Sequence, residues 1–84
     1  MSKKEKLVSR LLSNPKDFTF EELVTLLGYF GFWKANAGKT SGSRVEFRNS
    51  EGQILKLHKP HPGNIWKPYQ LKQINDELER RGLL

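Results

Sequence analysis

GSRVEFRNSEGQILKLH, residues 42–58, decides the fold. From Arg44 to Arg48 the chain alternates strictly. Val45 and Phe47 lie on one side and Arg44, Glu46 and Arg48 on the other, the period of a strand with one buried face. Asn49 to Gly52 has the composition of a turn. Alternation then resumes from Gln53 to His58, with Leu55 and Leu57 on the apolar side and Lys56 and His58 opposite. Two such runs joined by a short turn predict an antiparallel hairpin. In the expected register Arg44, Arg48, Lys56 and His58 share one surface.

Upstream, Leu7, Val8, Leu11 and Leu12 form a single helical stripe between Lys3 and Leu12. Asn14-Pro15 ends that helix, because the residue before proline avoids helical backbone. Thr19 with Glu22 three residues on is a capping box. It opens a second helix whose apolar face is Phe20, Leu23, Leu26, Leu27 and Phe30. Gly31 is placed to end it in the left-handed conformation, with Phe32 packing back. Phe32 to Asn36 then predicts a short strand and Ala37 to Ser43 a loop. Downstream, Pro68 suits the first turn of a helix with Leu71, Ile74 and Leu78 inward and Gly82 as its stop. The order is helix, helix, three-stranded antiparallel sheet, helix. It predicts an α+β fold with the helices on one face of the sheet. Phe18, Phe20, Phe30, Phe32 and Phe47 are the expected aromatic core.

The chain has 84 residues, enough for one small domain and too few for a separate substrate domain. It has no cysteine, which excludes disulfides and thiolate metal sites and fits a cytoplasmic protein. No apolar run approaches the ~20 residues of a membrane helix, so no membrane role is expected. The formal net charge is +6, and five of those charges fall between Lys34 and Lys67, where seven bases face two acids. A localised basic surface predicts a polyanionic partner, with nucleic acid the default. Lys39, Arg44, Arg48, Lys56, Lys59 and Lys67 are the candidate phosphate contacts. Trp66 could stack on a base or lie as a half-buried lid on the core.

Two histidines, His58 and His61, stand among these cations in LHKPHPG. Two imidazoles fall short of the three or four protein ligands zinc takes, so neither a metal nor a cofactor is expected. GKT at Gly38 to Thr40 lacks the upstream glycine of a phosphate loop, and no helix follows it. Histidine does acid–base chemistry near neutral pH without a metal. RNA carries its own nucleophile, the 2′-hydroxyl. One placed imidazole and one cation therefore suffice to cleave it, and His58 and His61 are the candidate catalytic groups. The other reading of both is loop residues that contact phosphate or nothing.

LLGYFGF, GSRVEFRNSEG and HPGNIWKPYQLKQI, in this order and spacing, resemble the HicA toxins, mRNA interferases of HicA–HicB toxin–antitoxin systems. The resemblance covers Phe18 to Leu84. It implies a double-stranded-RNA-binding-domain-like fold, with 1–17 as an added N-terminal helical extension to an 18–84 core in a single domain. It implies mRNA as substrate and a HicB-like antitoxin as partner, covering the basic sheet face. His61 matches the family's loop histidine, six residues before Lys67. The family's presumed catalytic histidine follows Gly-Ser, and here Arg44 follows Gly42-Ser43. An arginine stays protonated and cannot act as a general base, but it can bind phosphate and stabilise charge. An RNA-cleaving toxin using His58 or His61 and a non-catalytic RNA-binding or protein-interaction module are the two functions this sequence supports.

Overall fold

The computed structural model describes residues 2–35, 44–60 and 63–84. Three helices and three strands follow in the order α1 (Lys3–Leu12), α2 (Phe20–Tyr29), β1 (Trp33–Ala35), β2 (Arg44–Arg48), β3 (Ile54–His58) and α3 (Pro68–Arg80). The strands form one antiparallel sheet in the order β1-β2-β3. The α+β architecture expected from the hairpin is therefore the one observed, and without α1 its order is the α-β-β-β-α of a double-stranded-RNA-binding domain.

Local chemistry sets the helix ends. Ser2 caps α1, its hydroxyl accepting from the Glu5 N–H. The capping box of α2 is complete: Thr19 Oγ1 accepts from the Glu22 N–H at 3.1 Å, and the Glu22 carboxylate accepts from the Thr19 N–H at 3.0 Å. Helix α2 stops where Gly31 turns left-handed at φ 86°. The Phe32 N–H then closes on the Leu27 carbonyl at 2.9 Å, which drives Phe32 into the core. Gly82, also left-handed, follows α3 in the same way.

The hairpin turn places β2 against β3. The Gly52 N–H closes a turn on the Asn49 carbonyl, and Gly52 is left-handed at φ 81°. The Asn49 side chain braces it, its Oδ1 accepting from the N–H groups of Glu51 and Gln53. The resulting register pairs Arg44 with His58, Val45 with Leu57, Glu46 with Lys56, Phe47 with Leu55 and Arg48 with Ile54.

All three helices lie on the inner face of the sheet. Leu11, Phe18, Leu23, Leu26, Leu27, Phe32, Val45, Phe47, Leu55, Trp66, Leu71, Ile74 and Leu78 form one buried cluster, with Phe20 and Phe30 half-buried against it. No polar or charged residue is buried among the described residues. Helix α1 is tied to α2 by Arg10, which donates to both carboxylate oxygens of Glu22 at 2.9 and 3.2 Å and to Asp17 at 3.2 Å. Burial would raise the Glu22 carboxyl, but the Thr19 N–H and Arg10 bonds outweigh it and hold it below its ordinary value.

A long-range bridge fixes the segment after β3. Thr19 pairs with Ile65; the Trp66 N–H reaches the Phe18 carbonyl at 2.8 Å and the Phe20 N–H the Asn64 carbonyl at 2.7 Å. This docks the Trp66 ring beside Phe20, with centroids 6.0 Å apart.

Candidate RNA-binding face

The outer face of the sheet carries the site. Cross-strand partners share a face, so registration groups its side chains into three rows. Trp33, Arg48 and Ile54 form the first row, Ala35, Glu46 and Lys56 the second, and Arg44 and His58 the third. Their inward neighbours, Val45, Phe47 and Leu55, are buried. Lys34 alternates inward with them, and its ammonium lies over the Phe20 ring.

The hydrogen-bond phase of the hairpin sets how close these side chains come. The Asn49 N–H donates to the Gln53 carbonyl at 3.2 Å, so this is a hydrogen-bonded position. Alternation makes Arg48–Ile54, Glu46–Lys56 and Arg44–His58 non-hydrogen-bonded pairs. Arg81 confirms the phase, because its Nη2 reaches the Ile54 carbonyl at 3.0 Å on the side away from β2. In such pairs the Cα atoms are about 4.5 Å apart and the side chains at their closest. Arg44 and His58 thus stand side by side, both exposed.

Charge on this face is uneven. Arg48 is tied to Glu46, Nη2 to Oε2 at 2.6 Å, and the Glu46 side chain is 12% exposed. The pair nearly cancels. Among the described residues Arg44 and Lys56 make no salt bridge, and they flank His58 across and along the sheet. An anion on this face therefore meets its strongest attraction beside His58.

A groove of about 170 Å³ opens next to His58, between β3 and α3. Lys56, His58, Gln70, Gln73, Trp66 and Glu77 line it. Glu77 is held by Arg80 at 3.2 Å and Arg81 at 2.7 Å.

Lys59 and Lys67 are exposed, Lys67 at the N-terminus of α3. Lys39 and His61 lie outside the described residues. Trp66 is a correction. It is 1% exposed and belongs to the core, so it offers no ring face to a base. The Thr19–Ile65 bridge buries it, and its Nε1 has no hydrogen-bond partner among the described residues. Trp33 is the aromatic that sequence reasoning missed. It is 53% exposed on the basic face, and the buried Phe32 before it was the available signal, since alternation turns the next residue outward.

The fold and this face define a small α+β protein with a cationic sheet surface. A family model for the HicA toxin of bacterial toxin–antitoxin systems matches residues 20–83. The chain belongs to the HicA toxin family, and with it to the toxins that are partnered by an antitoxin. No curated protein and no solved structure matches it. No helix of the described residues is long and apolar enough to cross a membrane.

Proposed function

We propose that this chain is an mRNA endoribonuclease of the cytoplasm, with His58 as its proton-transfer group and Arg44 as its phosphate ligand. The carrying observation is the direct pairing of Arg44 with His58 on the exposed sheet face. Position 44 is where the resemblance puts the family's histidine. The His58 imidazole projects from the neighbouring strand, on the same face, one strand spacing away.

The chemistry follows from the two side chains. His58 accepts the 2′-hydroxyl proton as that oxygen attacks the adjacent phosphorus. Arg44 neutralises the charge that builds on the phosphoryl oxygens. The bond to the 5′ oxygen breaks, that oxygen takes a proton from water, and the hydroxide left takes the proton held by His58, which restores the neutral imidazole. The products are a 2′,3′-cyclic phosphate and a 5′-hydroxyl, and no step requires a metal. A HicB-like antitoxin silences the toxin by covering the outer face, where acidic groups would meet Arg44 and Lys56.

The test is RNA cleavage by the purified chain in EDTA, beside His58→Ala and Arg44→Ala, with product ends identified. Cleavage to cyclic phosphate that His58→Ala abolishes is the expected result. Intact RNA with salt-sensitive binding that Arg44→Ala weakens would instead mark a non-catalytic RNA-binding module on the same face.

A further inference from the structure

The two tryptophans of this chain have opposite fates. Trp66 is 1% exposed, whereas Trp33 is 53% exposed. A large ring left in water on a sheet face needs a reason, since the fold gains little from it there. Its surroundings exclude an ordinary apolar patch. Arg48 is its cross-strand neighbour, Glu46 and Lys56 occupy the next row, and Ile54 is the one other exposed apolar side chain in its row, two strands away.

We propose that Trp33 is a base-stacking platform for single-stranded RNA, at the far end of the track that begins at Arg44 and His58. The proposal rests on the RNA reading above and adds to it a binding residue and a strand path. Arg48 to Arg44 is four residues, about 13 Å along the strand. Trp33 lies one strand beyond Arg48. The diagonal from Trp33 past the Arg48–Glu46 pair to Lys56 and His58 therefore sets one aromatic ring at the end of a cationic track, the two elements by which proteins hold single strands. The base stacked on Trp33 lies a few nucleotides from the phosphate at His58, so Trp33 serves long substrates and is out of reach of a dinucleotide held there.

RNA fits this corner better than a protein anchor does. A protein hot spot seats its aromatic in a dry pocket ringed by near-neutral contacts. Among the described residues, Trp33 has Arg48 as its cross-strand neighbour and Glu46 and Lys56 in the next row. A nucleotide supplies a flat face for the indole and a phosphate for Lys56, which makes no salt bridge among the described residues.

Buried Trp66 gives a constant background, so fluorescence changes on binding report Trp33. The His58→Ala chain is titrated with a uridine decanucleotide and with a uridine dinucleotide. The decanucleotide is expected to quench Trp33 and shield it from acrylamide. Adding Trp33→Ala should weaken decanucleotide binding about 5- to 150-fold, by anisotropy, the range that stacking of one base implies. Trp33→Phe should recover most of the loss, and dinucleotide binding should be unchanged in both. Decanucleotide affinity unaltered by Trp33→Ala overturns the proposal and leaves the RNA reading standing. Unaltered RNA affinity with lost antitoxin affinity overturns it in favour of a protein anchor. If the chain with Trp33 intact binds no RNA, the RNA reading falls and the stacking role with it.

Discussion

Moving the imidazole between strands tests the cross-strand site most directly. His58→Ala should lower single-turnover RNA cleavage by about 10²- to 10⁴-fold, the usual contribution of a positioned acid–base group. Arg44→Ala should cost about 10²- to 10³-fold, as for other groups that stabilise developing charge. The informative variant is His58→Ala with Arg44→His, which puts the imidazole where the family carries it. Positions 44 and 58 are a non-hydrogen-bonded pair on one face, so the ring's root moves by roughly 5 Å. The proposed mechanism then requires the bound phosphate to shift by that amount on the exposed face. The transposed variant should cleave at least about tenfold faster than His58→Ala with Arg44→Ala, a small part of the acid–base contribution. Both positions are exposed, and surface substitutions of this kind change stability by within about 0.5 kcal/mol. Thermal melts of all variants should therefore overlay. The assay is cleavage of an end-labelled oligonucleotide in EDTA with enzyme in excess. Wild-type cleavage by His58→Ala would refute the reasoning, because proximity to Arg44 would then have no bearing on the proton transfer.

Two further predictions concern the scaffold. Gly31 is left-handed and a Cβ there would meet nothing within 4 Å, so Gly31→Ala is a purely conformational penalty of about 1–2 kcal/mol. Each kcal/mol should lower Tm by roughly 4–8 °C in a domain of this size. An unchanged Tm would mean that the α2–β1 turn relaxes to another backbone. Glu22 has a folded pKa below its unfolded value, so its stabilising effect is full above the unfolded value of about 4.3 and is lost as pH falls through the folded one. Glu22→Gln should therefore destabilise the chain at neutral pH and flatten the acid limb of urea midpoint against pH, and a parallel acid limb would refute the assignment.

The parts of this fold that were legible in the sequence are those set by neighbours in the chain. Thr19 and Glu22 announce their capping box three residues apart, and both halves form. Alternation from Arg44 to Arg48 and back to His58 fixed the faces, because a slip of one residue would have exposed Val45, Phe47 and Leu55 together. Trp66 was legible only as a choice between a base-stacking ring and a lid on the core. Its burial depends on the bridge between Thr19 and Ile65, and nothing local to NIWKP encodes a partner that distant. The Arg48–Glu46 pair was within reach of sequence reasoning, since residues i and i+2 of a strand share a face. Arg48 is held by the Glu46 carboxylate, which leaves Arg44 and Lys56, on either side of His58, as cations of this face without a salt bridge among the described residues.

The separation of core from site explains how a histidine can stand at 58 with an arginine at 44. All the buried side chains are apolar among the described residues, and Arg44, Glu46, Arg48, Lys56 and His58 all lie on the opposite sheet face. Arg44 and His58 are exposed and make no salt bridge among the described residues, so a change at either creates no cavity and strands no buried polar group. Fold and chemistry thus place independent demands on β2 and β3: inward residues set stability, outward residues set what the face binds. An antiparallel pair adds a further freedom, because either partner can present the same group to the same patch of surface. In the proposed mechanism an imidazole on strand β2 or on strand β3 would reach the same phosphate. If the transposed variant cleaves, the cleavage proposed above depends on the composition of the cross-strand pair rather than on which residue of the pair is the histidine.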